Sequence, residues 1–479
     1  MTENMSWNEQ GEWKAAGAWG VKGSTARTVE LARWQARLDE LCAAHHVPGA
    51  SLAVLVDGEV HELASGLLHR GTGVETTTDS VFQLGSIAKL YTATLVMQLA
   101  DSGLLDIDAP VVSVLPEFVT ADPEATKRIT TRQLLSHTSG LTCDFTYDSG
   151  RGDDCLARFL EASAGVALDC APGTAVSYSG IAYNVLGRIA EVLTGQTWDE
   201  ALKTRVLAPL GATHTMTLPE EALAFRAAMG HLGEPGEMPD PAPAWDMMPR
   251  SAGPYGRVIA SAGDVVRLAR MHLDGGVAQD GTRILSTAAV SAMQQWETDV
   301  PDRWTVSSDG WGLGWTLYDW KGTRGYGHDG ASIGQYSYLR VVPSAGVAVA
   351  LLTNGGSARL IYATLMRELL AELADVEMPD SLAPSAEPVE VDWAPLVGVY
   401  RRAGVVLTVT EGHLLYEFVD GMADFSPPLS VDLLPVTDKV FAGTGAGASF
   451  SEDYMPVVFA ELSDGTACVY VGMRAAPKV

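Results

Sequence analysis

The chain has 479 residues, of which 47% are hydrophobic and 19% charged, proportions that fit a folded globular protein and exclude a disordered or low-complexity one. Lys and Arg number 32 against 59 Asp and Glu, and the net charge of -27 repels phosphate backbones and anionic headgroups, so nucleic acid and membrane surfaces are not expected partners. No window approaches the roughly 18 apolar residues of a membrane span, and MTENMSWNEQGEWKAAGAWGVKG has no basic stretch followed by an apolar run; a cytoplasmic location is expected.

Residues 1–25 lack periodicity and read as an extension outside the fold. The segment TVELARWQARLDELCAAHH carries apolar residues at helical spacing and stops before Val47-Pro48-Gly49, so a helix opens the first domain. In ASLAVLVDGEVHELASGLL two aliphatic runs flank Asp57-Gly58, a dipeptide suited to a tight turn with positive φ, which predicts an antiparallel hairpin. VFQLGSIAKLYTATLVMQLADSG passes from a strand-like approach through Gly85 into a helix with Ile87, Leu90, Leu95 and Leu99 inward, closed by Gly103. A turn at Tyr178-Ser179-Gly180 precedes another helix that Gly195 ends.

Further on, YGHDGASIGQYSYLRVVPSAGVAVALLTNGG contains short strands punctuated by Gly and Pro343. One antiparallel sheet gathering strands from both ends of residues 26–375, with the intervening helices packed on it, is the expected α+β architecture. Residues 376–392, rich in Pro, Ser and acid, read as a linker. Over 393–479 the segments GVYRR, VVLTVTEGHLLYEFV, LSVDLLPV, PVVFAELS and ACVYVGMR predict a small all-β barrel or sandwich.

The chemistry begins at Ser86. It stands at the helix N-terminus, and Lys89, three residues on, shares its face one turn away. A serine hydroxyl needs a base to become a nucleophile, and a lysine serves only if burial or nearby cations lower its pKa; the positive end of the helix works in that direction. Taken alone, so short a pattern reads as a capping serine with a surface lysine. Cys42, Cys143, Cys155, Cys170 and Cys468 are odd in number and lack metal-site spacing; they read as free thiols, with a Cys143 to Cys155 pairing as the alternative. The adjacent His45 and His46 cannot face one ion from a helix, so neither metal nor other cofactor is expected.

With Tyr178-Ser179-Gly180 and His328-Asp329-Gly330 following in order, the chain resembles the serine β-lactamase and penicillin-binding-protein superfamily, class C-like, with its Ser-x-x-Lys, Tyr-x-Asn and Lys/His-x-Gly landmarks. LLSHTSGL, SAGDVVRLARMHLDGG and GWGLGWTL also look family-like, over roughly residues 30–375. The resemblance implies that Ser86 is acylated, Lys89 takes its proton, Tyr178 shuttles a proton, and His328 orients the network. The N–H groups of Ser86 and Ala331 would hold the oxyanion. Gly180, Gly330 and Arg474 are candidate substrate contacts, while His137 in LLSHTSGL reads as structural.

Two positions depart from the family pattern: Gly180 stands where Asn is usual, and His328 replaces the lysine of β-lactamases and transpeptidases, as in esterase-like and peptidase-like members. The trailing β-domain is similar to the lipocalin-like appendage of D-aminopeptidase relatives and of stand-alone penicillin-binding-protein-type thioesterases. That similarity implies a peptide cyclase acting on a carrier-bound peptidyl thioester, the β-domain covering the cleft. A D-aminopeptidase or carboxylesterase, and a non-turnover acyl-binding protein, are the alternatives.

Overall fold

The computed structural model describes residues 27, 29–234, 236–423, 426–445 and 454–479; the extension expected over 1–25 lies outside the described residues. Helix α1, Leu31–Ala44, leads to strands β1, Gly49–Val56, and β2, Glu59–His69. They form the expected hairpin, with Asp57 at φ 51° and Gly58 at φ 82°, both in the left-handed region that a two-residue turn requires. The edge strand β3 is Val74–Glu75. Three helices pack on one face of the sheet: α2, Ala88–Asp101; α3, Gly180–Thr194; and α4, Ala262–Leu273. The remaining strands of the sheet are β4, Thr298–Asp299; β5, Gly310–Trp311; β6, Thr316–Trp320; β7, Thr323–Ser332; β8, Gln335–Val342; and β9, Val347–Thr353. Helix α5, Arg367–Ala374, follows.

Among the described residues these nine strands run in the order β3-β2-β1-β9-β8-β7-β6-β5-β4, each pair antiparallel. Strand β1 lies between β2 and β9, with Ala53 opposite Ala350, so both ends of the domain meet at mid-sheet. Both faces are covered. Ala53, Leu55, Leu339 and Ala350 pack with residues of α2, α3 and α4, while Leu52, Val54, Val349 and Leu351 pack with residues of α1 and α5. The second helical layer explains why β1 is buried along its whole length rather than at alternate residues.

The second sheet comprises β10, Gly398–Arg402; β11, Val405–Thr410; β12, His413–Phe418; β13, Leu429–Pro435; β14, Val440–Thr444; β15, Met455–Glu461; β16, Ala467–Val471; and β17, Arg474–Pro477. Neighbours in sequence are neighbours in space. The last strand returns to the first: Val479 N–H donates to Val399 O at 2.9 Å, and Tyr400 bridges Lys478. The result is a nearly closed antiparallel barrel filled by Leu407, Leu414, Val431, Phe441, Val457 and Phe459. Three segments differ from expectation, the first being VVLTVTEGHLLYEFV, which turns at Glu411-Gly412 and gives both β11 and β12. ACVYVGMR is split, because Gly472 and Met473 both take positive φ, 63° and 65°, and reverse the chain. The short β14, followed by Gly445, is additional.

The barrel is tied to the larger domain by a buried ion pair. Arg402 Nε donates to Asp144 Oδ2 at 2.7 Å and Arg402 Nη2 to the Tyr416 hydroxyl at 2.7 Å, with the arginine side chain 1% exposed. An apolar seam joins Cys170 and Val176 to Val458, Cys468 and Tyr470. All five cysteines are free thiols. Asp144→Ala would strand a buried guanidinium without its anion; a loss of about 3 kcal/mol in chemical denaturation is expected, with faster hydrogen exchange in β10 and β11.

Candidate active site

Ser86 sits in a single 3-10 turn, Gly85–Ile87, that runs straight into α2. Gly85 has φ 51°, and a Cβ built on it would lie 2.3 Å from Ala331 O; one built on Gly330 would lie 2.0 Å from Leu84 O and 2.9 Å from Ser86 N. The two glycines let the turn and β7 touch backbone to backbone. Ser337 on β8 fastens the contact, its hydroxyl donating to Leu84 O at 2.6 Å. In consequence the backbones of Ser86 and Ala331 come close together, and both residues line a cleft of about 550 Å³.

Lys89 is 1% exposed. Its Nζ donates to Ser86 Oγ at 3.2 Å and to the Tyr255 carbonyl at 2.8 Å, and it lies 4.6, 5.3 and 5.6 Å from the ring centroids of Tyr178, Tyr255 and Tyr183. Burial pulls its pKa down to about 7; Arg474 adds to the fall and Cys143 opposes it. A neutral amine in contact with the serine hydroxyl can accept its proton. The Tyr178 hydroxyl is pushed well above its usual range by burial, against a hydrogen-bonding interaction with Ser86, so it is a proton donor rather than a phenolate.

The loop before α3 is held from behind. The Ser179 hydroxyl caps the helix, accepting from Ala182 N–H at 3.0 Å, and the Ser179 N–H donates to His137 Nδ1 at 3.0 Å. His137 is buried, and burial together with the Lys89 charge keeps its pKa well below normal. Its ring lies 4.5 Å from that of Tyr178, so it supports the tyrosine from within the wall.

His328 is also fully buried, with its ring 6.4 Å from that of Tyr178 and 5.6 Å from that of Trp311. Its Nδ1 pairs with the Asp329 carbonyl at 2.6 Å, and burial, with Lys89 next, lowers its pKa to about 3. It is therefore a neutral ring behind the site and supplies no positive charge for a substrate carboxylate. Gly180 opens α3, and a Cβ there would meet the Tyr255 ring at 3.7 Å and Cys143 Sγ at 3.8 Å. That ring and thiol occupy the space beside Gly180, and the Tyr255 main-chain oxygen supplies Lys89 with the acceptor that a side-chain amide could have offered.

Arg474, the first residue of β17, reaches the cleft. Its Cζ lies 5.7 Å from the Tyr178 ring centroid, Nη2 donates to Cys143 Sγ at 3.3 Å, and Nε is 3.5 Å from Asp144 Oδ1. Sequence patterns did not single out Tyr255, Cys143 or Asp329 as site residues. Asp329 lines the cleft and is gripped by buried Arg340 through contacts of 2.5 and 3.1 Å, with Arg340 Nη2 also donating to the Tyr362 hydroxyl at 2.6 Å. Asp329 carried no such signal, since strand alternation turns it to the face opposite His328, and Tyr255 carries none because its main chain does the work. Among the described residues no group of three or more His, Cys, Asp or Glu is placed to hold a metal ion, and no helix is long and apolar enough to cross a membrane.

Lys89 is active when unprotonated, so acylation of Ser86 should rise with pH through about 7 and level off above it, whereas a lysine at its ordinary value would give a rate still climbing past pH 9. Gly330→Ala should slow acylation by about a hundredfold and lower stability by about 1–3 kcal/mol, because its Cβ would force β7 off the serine turn; labelling kinetics and thermal melts measure the two effects.

Comparison with known proteins bears on family and fold. Penicillin-binding protein 4 of Amycolatopsis lactamdurans is 62% identical over 373 residues, 78% of this chain and 98% of the relative. The crystal structure of SurE is 31% identical with a TM-score of 0.75, over 94% of this chain and 99% of that one. The octameric penicillin-binding protein homologue from Pyrococcus abyssi, at 20% identity and a TM-score of 0.62 over 94% and 100%, shares the fold. The Beta-lactamase family model matches residues 34–371, which include Ser86, Lys89, Tyr178 and His328, and the chain belongs to that family.

Proposed function

We propose that the protein is a serine acyl-enzyme transferase that releases a nonribosomal peptide from a carrier-protein thioester by head-to-tail macrolactamisation. Ser86 Oγ attacks the thioester carbonyl and gives its proton to Lys89, and the N–H groups of Ser86 and Ala331 receive the oxyanion. The carrier thiolate leaves and takes a proton relayed through Tyr178. The peptide's own amine then attacks the Ser86 ester, loses a proton to the Lys89 and Tyr178 pair, and Ser86 is restored as a hydroxyl. Carrier-bound substrates belong to the cytoplasm, where we place the protein.

The observation that carries this proposal is that the barrel forms one wall of the cleft above Ser86, through Met455, Val471 and Arg474. A wall there limits water access to the ester, which an aminolysis must do. Likeness to SurE extends over both the catalytic domain and the barrel, and a SurE structure with D-Leu, 30% identical at a TM-score of 0.73, supports a D-residue at the acylating end. The 62% identity to a penicillin-binding protein favours a second reading, in which water resolves the ester or penicillin stalls it.

Incubation with a linear peptidyl thioester ending in a D-residue should yield cyclic peptide by mass spectrometry. Linear acid as the sole product would overturn the cyclase in favour of a hydrolase, and an undischarged Ser86 adduct would favour an acyl-binding protein. Ser86→Ala should abolish all three, a fall of at least about a thousandfold in product.

A further inference from the structure

The barrel does more than overhang the cleft, because one of its turns is hydrogen-bonded to the main chain of Tyr178. Met473, in the turn between β16 and β17, is 2% exposed and holds φ 65°. Its carbonyl accepts from Tyr178 N–H at 3.0 Å. Its own N–H donates to Asp302 Oδ2 at 2.9 Å, and two residues later Ala475 N–H donates to the Ser177 hydroxyl at 3.2 Å. Asp302 is fully buried, and its carboxylate also accepts from the Thr305 hydroxyl at 2.6 Å and the Thr305 N–H at 3.2 Å. The Met473 side chain packs in one cluster with Val300, Trp311 and Tyr178.

We propose that the turn at Met473, anchored by Asp302, is a positioning element of the acylation machinery, setting Tyr178 over Lys89 and Ser86. The inference rests on the acyl-enzyme chemistry proposed for Ser86. Tyr178 belongs to no helix or strand, so its ring direction depends on what holds residues 177–179. The catalytic domain holds the flanking residues: His137 receives the Ser179 N–H at its ring and the Ser177 N–H at its carbonyl, the Ser179 hydroxyl donates to Thr142 O at 3.0 Å, and the Ser177 hydroxyl donates to Asp169 Oδ2 at 2.7 Å. The N–H of Tyr178 itself is held by the barrel. A simple cover would touch the rim with side chains; here the contact is backbone to backbone on the residue itself.

The consequence reaches Lys89 through the ring. Lys89 is enclosed by the rings of Tyr178, Tyr183 and Tyr255 and the Ser86 hydroxyl, with Cys143 and Arg474 acting on it electrostatically and its own charge acting on His137 and His328. A Tyr178 released from Met473 would admit water to the amine, restore hydration of its charged form, and raise its pKa.

The test uses the full chain and a fluorophosphonate, which forms an Ser86 Oγ–P bond and expels fluoride while the hydroxyl proton passes to Lys89. Labelling rates are followed from about pH 5.5 to 9.5. Asp302→Ala should label about tenfold more slowly at pH 7, with the midpoint of its pH profile moved upward by about one unit. Asp302→Asn retains an oxygen acceptor for the Met473 N–H and should recover most of the rate. Met473→Gly keeps the left-handed backbone but removes the packing, and should shift the midpoint in the same direction. A wild-type chain not labelled at Ser86 would overturn the acyl-enzyme chemistry itself. Normal wild-type labelling, with Met473→Gly and Asp302→Ala within about twofold and at an unchanged midpoint, would overturn the positioning role alone. Should Asp302→Ala fail to fold, Met473→Gly and Ser177→Ala decide by the same midpoint.

Discussion

Keeping one amine dry is the constraint on which the site depends. Lys89 lies wholly inside the protein beside the hydroxyl it is to deprotonate, and the loss of hydration, more than any neighbouring charge, brings its pKa to about 7. Three tyrosine rings supply the enclosure without supplying an anion. A carboxylate in the same place would stabilise the ammonium and disable the base. Besides Ser86, the amine donates to a main-chain carbonyl, that of Tyr255, which satisfies it without holding it protonated.

The same enclosure is shared between two parts of the chain. The family domain provides the serine turn, the lysine and the tyrosine, and the barrel provides Arg474 and the turn at Met473. Burial raises the Asp144 carboxyl, but the Arg474 and Arg402 guanidiniums outweigh it and hold the group below its usual value, so the joint stays ionised at neutral pH. Because Arg402 is a joint residue and Arg474 touches both the joint and the Tyr178 ring, docking and the geometry of the site are not separable properties. A transferase that must favour an amine over water has use for such an arrangement, since the cleft wall and the base are then completed by one event.

How much of this was legible beforehand differs from residue to residue. Ser86 and Lys89 were visible because helical spacing fixes their separation, and Tyr178 through the family resemblance, where Tyr178-Ser179-Gly180 and His328-Asp329-Gly330 follow the serine in order. Asp57-Gly58 and Gly195 announced a turn and a helix end through the backbone conformations only such residues favour. Gly180 looked like a missing group; Tyr255, 75 residues away with no motif around it, fills the space. The break at Gly472 and Met473 was hidden because a methionine at positive φ has no composition signal, and it is there that the barrel meets the tyrosine.

Sequence alone determined the elements and the order of the reactive groups, because periodicity, caps and turn residues act over a few positions and leave local marks. Only the tertiary structure decided that Lys89 is buried enough to be a base, that His328 is neutral, and that Arg474 and Met473 belong to the site. Desolvation is a property of everything that surrounds a group, and those surroundings come from segments hundreds of residues apart that only folding brings together.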